Sequence, residues 1–488
     1  VLAGLAPPAS GVVLVDGHDI YAANVAYSFG FVPQEDIVHL DLTVAQALHY
    51  SARLRLARGT PRAAIEKLIG QTMEQLGLRG FADRRIANLS GGQRKRVSVG
   101  VELLAKPALL FLDEPSSGLD PATEFDLMEL LRNLADTGCT IVCTTHVMEN
   151  AWLIDELIVL VGGCLAFQGS PEETRDYFDV GKLTALYEEL DTRTPKEWQE
   201  AVAERRAPPA PVTPGTPIAR RRSGWSMPVL LRRQGAILSA DWKNFGLLVG
   251  QPLIIAALVS WVSNDQSLIL FFAYLATLWL GCSNAAQEIV KEIAIYRRER
   301  LVGVGAHSYL VSKFVFLALV TAAQALVLYA ALYALEGPTD GALSWQLTGL
   351  CGMAVAAVAI GCAISALARS VMQAVMIVPL ILIPLILFSG QTVPVVDMSK
   401  PVHRVSRFTP TFAAQTAMDG SFLWRKVLAS DVLRGHRQSL SNLRRDFAPK
   451  TGELFTDKRP LLFTIANHIA WTIAGYFIAF IALRQRER

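Results

Sequence analysis

Two short stretches, about twenty residues apart, could bind a phosphorylated ligand. The first, Leu89-Ser90-Gly91-Gly92-Gln93, is a glycine-rich turn that opens into a predicted helix. Its backbone N–H groups and the Ser90 hydroxyl can therefore face a phosphate at the positive end of that helix. The second is the apolar run 108–112, which ends in Asp113 and Glu114. Such a run predicts a buried parallel strand that delivers both carboxylates to the ligand-binding edge of an open α/β sheet.

In this order and at this spacing, the two stretches resemble the signature and Walker B motifs of an ABC-type ATPase. The resemblance implies ATP and Mg²⁺ as cofactors. Asp113 would hold Mg²⁺ through water, because this ion prefers oxygen ligands and keeps much of its hydration. Glu114 would orient or deprotonate the attacking water, which suits a reaction that depends mostly on positioning and charge stabilisation.

The same resemblance assigns roles to residues elsewhere in the nucleotide domain. Gln34, which follows a second predicted strand, would contact Mg²⁺ and the attacking water, and His146, after the strand 140–145, would touch the γ-phosphate. The signature acts on the nucleotide of a partner subunit, through Ser90, Gly91, Gly92 and Gln93. A loop that crosses the dimer interface consists of Ser117, Gly118, Leu119 and Asp120.

The sequence contains no G-x-x-x-x-G-K-[ST] loop, the Walker A element that cradles the β- and γ-phosphates. The first residues resemble the tail of the helix that follows this loop and the strand after it. We therefore expect the chain to be truncated just inside its nucleotide domain, with Gly-Lys-[Ser/Thr] encoded within roughly ten residues upstream of Val1. On this expectation, the 488 residues alone hydrolyse ATP poorly.

Composition divides the 488 residues into parts with different character. Residues 1–178 alternate short apolar strands with helical segments, as expected of an α/β P-loop NTPase-type domain that here lacks its Walker A loop. Residues 179–225 are charged and rich in proline and arginine, which predicts a linker. Residues 226–488 are predicted to form an all-α membrane domain. Trp225 and Trp242 bracket a basic amphipathic stretch that is expected to form a helix along the cytoplasmic membrane face before the first span.

Six apolar runs in the second half approach or exceed the roughly 20 residues that cross a bilayer as a helix. They lie at about 245–262, 268–286, 314–335, 347–367, 371–387 and 461–483. An ATPase domain must lie in the cytoplasm, and six spans return the chain to the side on which it started. The nucleotide domain and the basic C-terminus are therefore both expected on the cytoplasmic side of the cell membrane. The segment 391–460 would then be external although it is basic, and the charge rule is weak for loops of this length.

A nucleotide domain ahead of a six-span domain resembles the G, or White-type, subfamily of ABC transporters, with an ABC-2-type membrane domain. The stretch 94–103 looks like the subfamily's extension of the signature helix, and the charged stretch 288–300 looks like its coupling segment between the second and third spans. The coupling residues implied are Glu288, Glu292, Arg297, Arg298, Glu299 and Arg300. After His146 the chain has Val147-Met148, where many eukaryotic members have Gln-Pro, and this departure favours a bacterial relative.

The resemblance implies a half-transporter that dimerises with a second copy or with a different half-transporter. Its predicted function is ATP-driven export of a hydrophobic or amphipathic substrate through the lipid bilayer, since the predicted spans carry few charges. No nucleic-acid partner is expected. The alternative is a non-transporting or degenerate ABC membrane subunit with a regulatory role.

Overall fold

A computed structural model describes residues 7–15, 18–21, 29–57, 59–203, 226–339, 341–393, 397–429 and 460–486, without the side chains of 203, 422–429 and 460. The chain forms two compact units, Val1–Gly224 and Trp225–Arg488. Each unit has its own hydrophobic core. The first combines strands and helices, and the second is helical throughout its described residues.

A parallel sheet organises the first unit. Its strands are β3 (Phe29–Val32), β4 (Leu109–Leu112) and β5 (Thr140–Cys143), with β4 in the centre. Leu112 lies opposite both Val32 and Cys143, so the three strands end at the same level of the sheet. The helices of this layer are α1 (Val44–Arg55), α2 (Arg62–Gln75), α3 (Gly91–Leu103) and α4 (Pro121–Asp136).

Two antiparallel pairs complete the described strands. They are β1 (Leu14–Val15) with β2 (His18–Asp19), and β6 (Leu157–Val161) with β7 (Cys164–Gly169). Three further helices follow, α5 (Pro171–Phe178), α6 (Leu186–Leu190) and α7 (Pro195–Ala203). Trp198 of α7 is 2% exposed and packs with Phe178, and its indole donates to the carbonyl of Leu190. The first part of the predicted linker is therefore folded, because Trp198 is large enough to close a small core with β6 and β7.

The helix starts follow from residue type. Thr43, Ser90 and Ser170 each form a capping box with the glutamine or glutamate three residues later, at the starts of α1, α3 and α5. Asp120 caps α4, where proline occupies the first helical position. The signature turn and the predicted dimer-interface loop thus each end at a well-defined helix N-terminus.

The second unit consists of α8 (Met227–Ala240), α9 (Trp242–Val262), α10 (Gln266–Ala286), α11 (Ile293–Leu301), α12 (Ala306–Glu336), α13 (Leu343–Leu367), α14 (Val371–Leu387), α15 (Lys400–Ser406), α16 (Pro410–Ala429) and α17 (Pro460–Gln485). Among the described residues, α9, α10, α12, α13 and α17 are long and apolar enough to cross a membrane. The fifth predicted run forms α14, which has 17 residues and two internal prolines. The fold class is confirmed, with five helices of spanning length and one shorter apolar helix in place of six equivalent spans.

Small residues allow α13 to approach its neighbours closely. A Cβ at Gly361 would lie 2.7 Å from the Cβ of Ala285 on α10, and a Cβ at Gly475 of α17 would lie 2.7 Å from the backbone of Ala359. A side chain at either position would overlap the neighbouring helix, so both positions require glycine. Close van der Waals packing of this kind is the main way in which helices associate in a bilayer. Beyond α14, the start of α16 packs into this bundle with Phe412 fully buried, so part of the predicted external segment is folded against the spans.

Candidate nucleotide site and transmission segment

Three chain segments leave the parallel sheet at the same edge and bring the predicted catalytic residues together. Gln34 follows β3, Asp113 and Glu114 follow β4, and His146 follows β5. Because the strands run in register, their carboxyl ends deliver these side chains to one place.

Glu114 lies at the centre of this group. Gln34 donates from Nε2 to Oε2 of Glu114 at 3.0 Å, and His146 Nδ1 lies 3.9 Å from the same oxygen. The side chains of His146 and Glu114 are 62% and 37% exposed, so a ligand can reach both. Tyr187 donates to the backbone carbonyl of His146 at 2.9 Å and fixes the loop that carries it.

Thr144, which the sequence analysis did not single out, links the two carboxylates. Its hydroxyl donates to Oδ1 of Asp113 at 2.8 Å and accepts from the backbone N–H of Glu114 at 2.9 Å. Glu114 adopts a φ of 40°, in the left-handed region that a residue with a Cβ rarely occupies. Backbone strain of this kind concentrates at functional sites, and here the hydrogen bond to Thr144 helps to maintain it. A threonine immediately after β5 was the available sequence signal.

The donor set fits a hydrated Mg²⁺ that is shared with nucleotide phosphates. Asp113 presents one carboxylate at this sheet edge, and Gln34, which contacts Glu114, carries a side-chain carbonyl as an additional oxygen donor. No group of three or more His, Cys, Asp or Glu suited to a metal occurs in the described residues. The carboxylate of Asp113 and the carbonyl of Gln34 are oxygen donors of the kind that suits Mg²⁺, which proteins hold through one or two carboxylates together with substrate phosphates and water.

The signature turn is built as the first turn of α3. Ser90 Oγ accepts from the N–H of Gln93 at 3.3 Å, and the Gln93 side chain accepts from the N–H of Ser90 at 3.1 Å. Gly92 has a packing reason to be glycine, because a Cβ there would collide with Thr123 of α4. The Ser90 hydroxyl keeps its own proton available for a ligand while it caps the helix.

Lys95, also on α3, ties the signature helix to the Gln34 loop. Lys95 is 4% exposed, and its ammonium donates to the carbonyls of Gln34 at 2.7 Å and Pro33 at 3.4 Å. Asp36 lies 3.7 Å away as its counter-ion. The sequence analysis placed Lys95 only within a family-like stretch, since its partners lie about sixty residues away.

The predicted dimer-interface loop is a tight turn between β4 and α4. The N–H of Ser117 donates to the carbonyl of Glu114 at 3.1 Å, and Gly118 has a φ of 75°. Asp120 accepts from the N–H and hydroxyl of Thr123, and these hydrogen bonds lower the pKa of Asp120. The loop therefore starts at Glu114, the predicted catalytic glutamate, and ends at a charged helix cap.

In the second unit, the predicted coupling segment surrounds a buried lysine. Lys313 of α12 is fully buried and contacts Glu288 at 2.8 Å, Glu292 at 2.7 Å and the Gln234 side chain of α8 at 3.1 Å. The hydroxyl of Ser365 on α13 accepts from the backbone N–H groups of residues 289 and 290 at 2.9 and 3.0 Å. The segment is thus fixed to three helices.

A second buried pair joins α8 to α11. Arg233 forms a two-pronged ion pair with Glu299, and both side chains are at most 4% exposed. Of the other predicted coupling residues, Arg298 is buried, whereas Arg297 and Arg300 are exposed. Because these ion pairs are buried, removal of one partner would leave an unpaired charge in the protein interior and would strongly destabilise the fold.

Two family descriptions match this sequence. Residues 1–117 match "ABC transporter", and residues 227–423 match "ABC-2 type transporter". The first match contains the sheet edge with Gln34, Asp113 and Glu114. The second contains α8 to α15 and the described start of α16.

Similar proteins carry the same description. An ABC transporter ATP-binding/permease protein of Mycobacterium tuberculosis is 32% identical over 450 residues, which cover 86% of this chain and 52% of that protein. ABC transporter G family member 13 of Arabidopsis thaliana is 40% identical over 35% of this chain and 26% of its own length. A broad substrate specificity ATP-binding cassette transporter of Rattus norvegicus is 37% identical over 35% and 27%. The chain therefore spans about half the length of the mycobacterial relative and about a quarter of the other two.

Proposed function

Because this chain belongs to the ABC transporters, with an ABC transporter domain ahead of an ABC-2 type membrane domain, we propose that it is one half of a dimeric, ATP-driven exporter. The observation that carries the proposal is the convergence of Gln34, Asp113, Glu114 and His146 at one sheet edge. The relatives named above are transporters by description, and the proposal extends transport to this chain.

Glu114 is the proposed catalytic residue. Gln34 and Glu114 would position the attacking water between them, and Glu114 would accept its proton as the bond to the γ-phosphate forms. Bound Mg²⁺, held by Asp113 and Gln34, would neutralise charge on the phosphate oxygens. His146 would donate a hydrogen bond to the γ-phosphate from beside Glu114.

A complete nucleotide site needs two chains in this proposal. The N–H groups at the start of α3 and the Ser90 hydroxyl face a phosphate of the nucleotide that the partner holds. The loop Ser117–Asp120 would contact the partner at the same interface. The partner is a second copy or a different half-transporter.

The buried ion pairs support a role for α8, α11 and α12 in transmission. Since Lys313 and Glu299 each bind partners on other helices, these three elements should move as one body. Movement of the nucleotide domains would then reach α10 and α12, the helices that flank the coupling segment. Glu288 and Glu292 act here as positioning residues.

The proposed cargo is hydrophobic or amphipathic. Among the described residues, α10 and α13 carry no Asp, Glu, Lys or Arg. The charged residues of α9 and α12 all lie within two turns of a helix end, so the middle of each of these helices is uncharged. A path between such helices offers few partners for a charged solute. The nucleotide domain and the C-terminus would lie in the cytoplasm, on the side of the basic residues 291–300 and 484–486.

The test uses the protein as encoded by its whole gene, reconstituted in vesicles with the nucleotide domain outside. We expect ATP-dependent accumulation of at least one member of a panel of lipophilic dyes and fluorescent phospholipids, lost in Glu114→Gln. ATP hydrolysis without movement of any probe would indicate a non-transporting membrane ATPase. Absence of both hydrolysis and movement would indicate a degenerate subunit.

A further inference from the structure

Three arginines from distant parts of the sequence meet where α13, α14 and α17 end on one side of the membrane unit. Arg297 lies on α11, Arg369 in the turn between α13 and α14, and Arg486 directly after α17. The Arg486 guanidinium donates to the carbonyl of Ala368, and Arg297 Nη2 donates to the carbonyl of Arg486 at 3.3 Å. These contacts hold the three residues together. We call Arg297, Arg369 and Arg486 the arginine patch.

The arginine patch has an excess of positive charge. In the part of the chain that the structure describes, no carboxylate forms an ion pair with Arg297, Arg369 or Arg486, and Glu487 lies outside the described residues. Partial burial, together with the positive charges of Arg297 and Arg369, lowers the pKa of the Arg486 guanidinium. An anion placed among these three groups would relieve their mutual repulsion.

The N-terminus of α14 adds to this field. Ser370 caps the helix by accepting from the N–H of Gln373, and the N–H of Arg369 donates to the Gln373 side chain at 2.7 Å. The 17-residue helix therefore starts immediately beside the arginine patch with its positive end directed there.

Exposed apolar side chains lie close to the arginine patch in sequence, on the three helices that end there. Leu367, Met372 and Ile481 are 59%, 70% and 54% exposed, and they lie at the ends of α13, α14 and α17. Exposed apolar groups one turn from a cluster of arginines match the boundary between acyl chains and headgroups. A soluble anion would not contact these three apolar side chains.

We propose that the arginine patch binds the phosphate of an anionic phospholipid, with the acyl chains against Leu367, Met372 and Ile481. The guanidinium groups supply paired N–H donors for phosphate oxygens, and lysine could not present them in the same planar geometry. The proposal needs only that the spans lie in a bilayer, and it does not depend on ATP hydrolysis or cargo.

The experiment measures which lipids the full chain retains. The protein is placed in nanodiscs of phosphatidylcholine with a minor fraction of phosphatidylglycerol, then extracted with mild detergent, and the retained lipids are quantified by mass spectrometry. We expect phosphatidylglycerol to be enriched over its bulk fraction. The double variant Arg369→Gln/Arg486→Gln should reduce that enrichment by at least about tenfold, since it removes two of the three positive charges that face the lipid phosphate.

The matched control is Arg404→Gln/Arg407→Gln, which removes two exposed arginines near α15, beyond the far end of α14. This control should retain the enrichment of the unmodified chain. The exposed Arg297→Gln variant provides a second arm if the double variant does not fold, and it should also lower the enrichment.

Three outcomes would overturn the proposal. The first is the absence of enrichment in the unmodified chain, and the second is equal enrichment in the two double variants. The third is thermal stabilisation of the detergent-solubilised chain by inorganic phosphate as large as that by phosphatidylglycerol, which would identify a site for free phosphate. Because no ATP is present, none of these results depends on whether the chain transports a substrate.

Discussion

At the scale of single residues, the proposed nucleotide site depends on hydrogen bonds between segments far apart in sequence. Gln34, Glu114 and His146 could be predicted because each follows an apolar strand in a motif-like context. Thr144 and Lys95 could not, because their roles depend on partners 31 and 61 residues away. A single sequence shows where a strand ends, but not which hydroxyl or ammonium reaches it from another segment.

Replacement of Glu114 by Gln tests the proposed base. The amide keeps the size of the side chain but cannot accept the proton of the attacking water. We therefore expect ATP turnover by the whole gene product to fall at least about 100-fold while nucleotide stays bound, as measured by phosphate release and by retained labelled ATP.

The control for this change is Glu129→Gln, which removes an exposed carboxylate from α4. Its turnover should match that of the unmodified protein. Full turnover in Glu114→Gln would remove Glu114 from the catalytic role.

Replacement of Lys95 by Met tests the link between the signature helix and the Gln34 loop. Methionine keeps the aliphatic stem but loses the hydrogen bonds to the carbonyls of Gln34 and Pro33. Because a charge-assisted hydrogen bond contributes about 1.5–3 kcal/mol, we expect turnover to fall about tenfold or more in the same phosphate-release assay. The exposed Lys67→Met on α2 is the control, and equal rates for both variants would contradict the proposed link.

At the scale of elements, the segment between α10 and α12 is organised by buried charge. The sequence predicted a charged coupling stretch here, and the structure places Glu288 and Glu292 on Lys313 and Glu299 on Arg233. The partners were not predictable, since Arg233 lies 66 residues before Glu299 in a helix that precedes the first span. The charge pattern alone also fits a solvated face.

A double-mutant cycle on Arg233 and Glu299 measures how strongly α8 and α11 are joined. Each single change to Met leaves a buried charge unpaired, so each should lower the stability of the detergent-solubilised chain by about 3–5 kcal/mol. The double change should cost much less than the sum, as followed by thermal unfolding. Additive losses would mean that the two side chains do not form the pair described here.

The same segment should respond to acid. Burial alone would raise the pKa of Glu288, but Lys313 and Lys291 more than offset it and hold the pKa at about 2, below the usual 4.5. A depressed carboxylate pKa stabilises the folded state above the unfolded pKa, and this contribution is lost as pH falls from 4.5 towards 2. The melting temperature of the unmodified chain should therefore fall more steeply than that of Glu288→Gln over this interval, and parallel curves would contradict the assignment.

At the scale of the whole molecule, the order of the two domains was predictable and their finer boundaries were not. The apolar runs were long enough to identify membrane helices, and the strand-ending motifs identified the nucleotide domain. Composition could not show that residues 179–203 fold onto β6 and β7, because one buried tryptophan decides that packing. Nor could it show that part of the segment after α14 folds back into the bundle.

The proposed sharing of nucleotide sites between two chains makes a prediction about mixed dimers. Ser90→Asp keeps a helix-capping side chain but places a negative charge against the phosphate. When Ser90→Asp and Glu114→Gln are on separate chains of one dimer, both defects fall in the same site and the other site remains intact. When both changes are on one chain paired with an unmodified chain, each site has one defect.

Phosphate release by purified mixed dimers, each isolated with two different affinity tags, should therefore be substantial in the first arrangement and near background in the second. Equal rates in the two arrangements would show that each chain completes its own site. The unmodified mixed-tag dimer provides the reference rate.

The position of Lys95 has one more consequence. Ser90 and Lys95 are five residues apart on the rigid helix α3. In the proposed dimer, the N-terminus of this helix contacts the ATP bound by the partner subunit. Lys95 on the same helix donates a hydrogen bond to the backbone carbonyl of Gln34 in the chain's own site. Occupancy of one site should therefore change the affinity of the other, so turnover should rise sigmoidally with ATP concentration, with a Hill coefficient above one that Lys95→Met returns towards one.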